Sequence, residues 1–152
     1  MTADLHVRHT RGPAADRVFE PLVAILVIGH WTGRILLADA RTVREATGPD
    51  LPVRLTPTRD RPAGRRPGPA AVDEIVDRLV AAARDAVPAK VPIVLAGHPR
   101  AVDRAAGDER LLPHLVATIP GHHEHTAPAI LRSHALRVLR RRARTDHAVG
   151  RA

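Results

Sequence analysis

Apolar positions in this chain fall into short blocks whose spacing changes partway along. "PLVAILVIG" (21–29) is an unbroken run of Leu, Val and Ile, too short for a helix buried on both faces, which predicts a central strand. After the turn "HWTG", the stretches "RILLADA" (34–40) and "TVREA" (42–46) predict two further strands and a three-strand meander. Beyond residue 70 the period becomes helical: Val72, Ile75, Val76, Leu79, Val80, Ala83 and Val87 share one face from Pro69 to Val87. Asp73 and Glu74 read as first-turn acids and Arg84 as a last-turn base, which suits the helix dipole. "VPIVLAG" (91–97) predicts a second buried strand ending in Gly97-His98-Pro99, and Pro99 opens a helix to about Ala106. "HLVATI" (114–119) predicts a further strand before the loop "PGHHEH". Thr126 is the expected N-cap of a last helix, with Pro128 in its first turn, Leu131, Ala135 and Val138 facing inward, and fraying through the arginine-rich end.

The order βββ-α-β-α-β-α makes an α/β fold, a mixed sheet in which a meander feeds βαβ crossovers, with helices packed on it. Residues 1–17 mix charge, His, Gly and Pro without periodicity and read as a flexible arm. Residues 18–142 form one domain, and 143–152 a flexible basic tail. The 152 residues suffice for one core.

Composition narrows the chemistry. Cysteine is absent, so disulfides, thiol nucleophiles and Cys-based zinc sites are excluded. The apolar runs are too short to span a bilayer and no leader pattern opens the chain, which predicts a cytoplasmic protein without a membrane partner. Net charge is +8, carried by arginine, since Lys90 is the only lysine. Such a surface attracts polyanions, although GC-rich codon usage alone also enriches arginine. Phe19 and Trp31 are the only aromatics, so contacts to RNA fall on phosphate and shape rather than on stacked bases. Trp31, in a hairpin turn, is expected to cap the sheet edge.

"AILVIGHWTGRILLADARTVREATGPDLP", the long helix, and "VPIVLAGHPRAVDRAAGDERLLPHLVATIPGHHEHTAPAIL" together resemble the middle domain of archaeal and eukaryotic peptide-chain release factors, and their bacterial relatives most of all. The likeness covers roughly residues 20–140. It implies an RNase H-like fold, a translation-associated function, and the ribosome, structured RNA or tRNA as partner. It also implies that "TPTRDRPAGRRPGPA" (56–70) stands where that family carries a Gly-Gly-Gln loop, whose glutamine helps position water on the peptidyl-tRNA ester. Here the loop offers Gly64-Arg65-Arg66 and Gly68, and the chain contains neither glutamine nor asparagine. A guanidinium is a poor group for ordering water against a carbonyl, so the resemblance implies a catalytically degenerate domain acting by occupancy rather than by hydrolysis. The family's flanking domains do not fit in this length, and a separate protein subunit would have to supply them.

The candidate RNA- or ribosome-binding residues are Arg59, Arg61, Gly64, Arg65, Arg66 and Gly68 in the loop, with Arg137, Arg140, Arg141 and Arg144 on one face of the last helix. His122, His123 and His125 are a second candidate, for a metal, with His114 or His134 to complete the set, although neighbours in a row do not point at one centre. His134 is otherwise expected to be a partly buried packing residue. Carboxylates for a two-metal nuclease do not converge: Asp39 ends a strand, and Asp50, Asp60, Asp73, Glu74 and Asp103 are scattered. Ser133, the only serine, lacks a nucleophile-elbow context. No cofactor is implied. Two other classes stay open, a protein-interaction module whose basicity reflects genome composition and a His-dependent metal-binding protein.

Overall fold

The computed structural model describes residues 19–59 and 68–150. The predicted arm, together with Arg61, Gly64, Arg65 and Arg66 of the loop, lies outside them. Strands β1 (Val23–Ile28), β2 (Thr32–Ala38), β3 (Val43–Glu45) and β4 (Val53–Arg54) precede helix α1 (Pro69–Ala86). Strand β5 (Ile93–Gly97), helix α2 (Pro99–Ala106), strand β6 (Leu115–Pro120) and helix α3 (Pro128–Val149) follow. The chain is thus α/β with a mixed sheet of six strands, in the path β3-β2-β1-β5-β6, with β4 pairing β2 beside it. β1 runs parallel to β5 and β5 to β6, whereas β1–β2, β2–β3 and β2–β4 are antiparallel.

The unbroken apolar run of β1 follows from its place in the middle of three layers. Ala24, Leu26 and Ile28 belong to one core, which includes Ile75, Leu79, Leu95, Val102 and Leu111 beneath α1 and α2. Val23, Ile25 and Val27 belong to the other, with Val94, Ala96, Leu131 and Ala135 beneath α3. A strand covered on both faces has no position left for a polar side chain. β5 obeys the same rule, and all five of its residues are buried.

Helix α1 keeps its predicted bounds to within a residue. Gly68 stands at its N-cap in extended conformation, Pro69 opens it, and Ala71, Ile75, Val76, Leu79, Val80, Ala82 and Ala83 are buried. Asp73 and Glu74 lie past the first turn, which holds no acid. Asp73 instead accepts from Arg104 Nε at 2.9 Å and joins α1 to α2.

Other expectations are corrected. β4 was not anticipated, because two residues show no alternation; Leu55 beyond it donates its N–H to Trp31 O at 2.9 Å. Trp31 is half-buried against the α1-side core. Thr126 does not cap α3. Ala127 holds the N-cap position without a side-chain bond, and the Thr126 hydroxyl faces His123 Nδ1. Helix α3 does not fray at Arg142 but runs to Val149, its residues from 140 onward exposed. Leu131 and Ala135 are its buried residues, with Leu136 and Leu139 packed against the same core. His134 is exposed.

Asp39 is a turn-former rather than a metal ligand. Its Oδ1 accepts from the N–H groups of Arg41 and Thr42 at 2.7 and 2.6 Å, and these bonds hold its carboxyl below the usual carboxylate range. Asp108 is the buried carboxylate among the described residues. Arg110 grips it with Nε at 3.0 Å and Nη2 at 2.7 Å, which lowers its pKa against the cost of burial.

Two outcomes follow for stability. Leu131→Ala is expected to cost about 3 kcal/mol by opening a cavity under α3, measured by urea unfolding, whereas Leu112→Ala, at a half-exposed site, should cost under about 1 kcal/mol. Asp108→Ala should lose about 1 kcal/mol at pH 7, since its partner Arg110 is half exposed. Because the folded pKa of Asp108 is depressed, that contribution is present above the unfolded value and is lost as pH falls through the folded one. The variant and the parent should therefore converge in thermal stability once the pH falls below the folded pKa of Asp108, under the usual carboxylate range.

Candidate functional site

The three mutually parallel strands all end in the same dipeptide. β1 leads into Gly29-His30, β5 ends at Gly97 and is followed by His98, and β6 leads into Gly121-His122. Register places Ile28, Gly97 and Pro120 level with one another across the sheet. The histidines therefore leave the sheet at one edge. Their ring centroids form a near-equilateral triangle: His30 to His98 at 5.8 Å, His30 to His122 at 5.9 Å, and His98 to His122 at 5.7 Å. The rings are tilted by 35° to 50° to one another.

The edge lies where ligands collect in open α/β sheets, at the carboxyl ends of parallel strands whose connections part. From β1 the chain turns back into β2 on one side, and from β5 it leaves through α2 towards β6 on the other. Between them lies a cavity of about 100 Å³ lined by Ile28, Gly29, His30, His98 and residues 121–125.

A side chain in place of the glycine before each histidine would collide with a neighbour. Gly97 has φ +155°, and a Cβ there would stand 2.5 Å from the carbonyl oxygen of Ile28 on β1. Gly121 has φ +147°, and a Cβ there would stand 2.9 Å from His123 Nε2. The Gly121 N–H donates to Gly97 O at 2.8 Å, extending the β5–β6 pairing by one bond.

Hydrogen bonds fix the surround. His98 is the N-cap of α2: its Nδ1 accepts from the Arg100 N–H at 3.3 Å, so the neutral ring carries its proton on Nε2. Glu124 Oε1 accepts from Thr32 Oγ1 at 3.1 Å, tying the loop after β6 to β2. Arg34 on β2 donates to Thr126 O at 2.9 Å and to His123 O at 3.5 Å, a second tie on the same loop. The last helix thus begins from a loop braced on β2.

The metal set expected from the sequence does not assemble. His122 points to the triangle, His123 turns to Thr126, and His125 is exposed. Among the described residues no three His, Asp or Glu side chains gather as ligands of one ion. His114 lies at the other end of the strands, beside a larger open cavity of about 750 Å³ between the end of α1 and the approach to β6. That cavity is walled mainly by Val80, Ala83, Val87, Val91, Ile93 and Leu111, with Arg84, Asp85 and Arg110 also lining it, and Arg110 is paired with Asp108.

The arginines expected to meet RNA are divided between two places. Arg59 is exposed and Gly68 stands at the start of α1. Arg137, Arg140, Arg141 and Arg144 are exposed along α3 and make no ion pair among the described residues. Between them Arg142 donates to Val116 O at 2.9 Å, at the opposite end of β6 from His122.

No family model matches the chain, and no curated protein matches it. Among solved structures, one described as "Archaeal protein" is 14% identical with a TM-score of 0.37, over 86% of this chain and 41% of that one. The chain therefore spans under half the length of that neighbour. Among the described residues no helix is long and apolar enough to cross a membrane.

His30 and His98 were not among the candidates drawn from the sequence. A signal was there, since the chain's three Gly-His dipeptides each follow a run predicted to be a strand. Gly97→Ala is expected to destabilise the protein by about 2 kcal/mol, lowering Tm by several degrees, because it adds strain and a clash between β1 and β5. Gly48→Ala, where a Cβ meets nothing within 4 Å, should change Tm little, and calorimetry of the two variants makes the comparison.

Proposed function

We propose that this protein binds structured RNA, with the ribosome as its site of action, and works by occupying that site rather than by hydrolysing an ester. The observation that carries the reading is the exposed end of α3, where Arg137, Arg140, Arg141 and Arg144 recur three and four residues apart. Arginines in that spacing share a face, and an unpaired guanidinium row is suited to phosphate oxygens along a helical backbone. The near-absence of aromatic side chains favours contact through phosphate and shape over stacking.

The RNase H-like assignment belongs to this proposal and rests on the resemblance to release-factor middle domains. The order of elements supports it, as a hairpin and third strand precede the long helix and two strand-helix units follow. Within that reading Arg59, Arg61, Arg65 and Arg66, between Gly64 and Gly68, add a second set of phosphate contacts. A chain without glutamine or asparagine has no side chain of the type that the family uses to order water, so the function is binding.

The test is co-sedimentation with ribosomes across a salt series, beside the variant Arg137→Ala/Arg140→Ala/Arg141→Ala/Arg144→Ala. Binding should fall steeply with salt, and the variant should bind at least tenfold more weakly with a slope shallower by roughly three in log–log form. Binding that ignores salt, or a variant that binds like the parent, contradicts the reading and turns attention to a protein partner.

A further inference from the structure

We propose that the RNA engaged by α3 is a double helix, held along its phosphate backbones without regard to sequence. This rests on the RNA reading above and names the form of RNA that the arginine row fits.

The arginines of α3 are divided by face. At 3.6 residues per turn each residue advances by about 100°, so Leu131, Ala135, Leu139 and Arg142 fall within an arc of roughly 80°. Leu131 and Ala135 are buried, Leu139 packs on the same core, and Arg142 reaches to Val116 O at 2.9 Å. Arg132, beside that arc, donates to Ala40 O at 3.3 Å. On the same count Arg137, Arg140, Arg141 and Arg144 occupy an arc of roughly 100° centred almost opposite. All four are exposed, and the one acid of the helix, Asp146, falls on the core-facing arc. Two arginines thus tie the helix to backbone carbonyls, and four form an outward row that holds no carboxylate of the helix.

Rigidity decides between forms of RNA. Arg137 and Arg144 stand about 10 Å apart along the helix axis. A duplex fixes its phosphates in a lattice, about one per 1.7 Å of axis in B-DNA, and one strand carries half that density. Ten ångströms of duplex therefore offer about six phosphates to four guanidinium groups. A single strand must first be ordered, and proteins that hold one offset that cost by stacking bases on aromatic rings. Helix α3 has no Phe, Tyr or Trp. Phe19 lies under Arg44 at 4.4 Å, and Trp31 packs on the α1-side core, across the sheet from α3.

Shape sets the mode of contact. An α-helix with its side chains is about 10–12 Å across, too broad for the deep, narrow major groove of A-form RNA. The row therefore meets phosphates at the rims of the wide, shallow minor groove, where shape outweighs sequence.

The test is fluorescence anisotropy of the full chain with an RNA duplex of about 16 base pairs, and with one of its strands alone, over roughly 50 to 200 mM salt. Four phosphate contacts predict a log–log slope between about −3 and −4 on the duplex. The duplex should bind at least tenfold more tightly than the strand, and a second duplex of unrelated sequence should bind within about threefold of the first. Arg137→Ala/Arg140→Ala/Arg141→Ala/Arg144→Ala should weaken duplex binding at least tenfold. Arg41→Ala/Arg84→Ala/Arg100→Ala, which removes exposed arginines from other elements, should change it by less than about threefold. An equal loss in both variants would overturn the inference in favour of diffuse attraction by net charge. A strand bound as tightly as the duplex, with binding still lost in the α3 variant, overturns the duplex assignment and leaves the RNA reading in place. Binding of neither form removes both. A DNA duplex bound more tightly than the RNA duplex would overturn the assignment to RNA.

Discussion

Parallel pairing between β1 and β5 is the constraint on which the molecule depends. The pairing runs from Ala24 opposite Ile93 to Ile28 opposite Gly97, and every residue in it is buried. Side chains alternate between a core under α1 and α2 and a core under α3, so one strand pair anchors all three layers. The register also settles which residues emerge at the strand ends. A slip of one residue would exchange the two faces and would move Gly97 out of level with Ile28.

That link joins fold and site. The carboxyl edge of the sheet is close-packed at Gly97, where a side chain would strike the Ile28 carbonyl, and it opens one residue later into the histidine crevice. Each histidine sits on a short tether from a rigid strand, and Thr32–Glu124 and the two Arg34 bonds hold the third tether in place. The arginines of α3 are arranged differently, on an exposed helix end.

Much of the fold was legible in the sequence because burial on both faces writes unbroken apolar runs, and a one-faced helix writes a clean 3.6-residue period. β1, β5, α1 and α2 are read off with ends correct to within two residues. β4 escaped because two residues carry no period, and its place comes from pairing with Thr32 and Gly33. The length of α3 escaped because arginine-rich composition looks like a frayed end, whereas Arg, Ala and Leu are all good helix formers. The histidine triangle escaped for a different reason. His30, His98 and His122 are far apart along the chain, and the adjacent histidines of "GHHEH" drew attention to a cluster that the loop pulls apart.

Three strand ends bring the ring centroids of His30, His98 and His122 to within 6 Å of one another. Nuclear Overhauser contacts among their ring protons, in protein labelled with ¹³C-histidine and without added ligand, measure this most directly. Cross-peaks among all three rings are expected. Three rings without mutual contacts, in a protein whose β1–β5 amide pattern is intact, would contradict it.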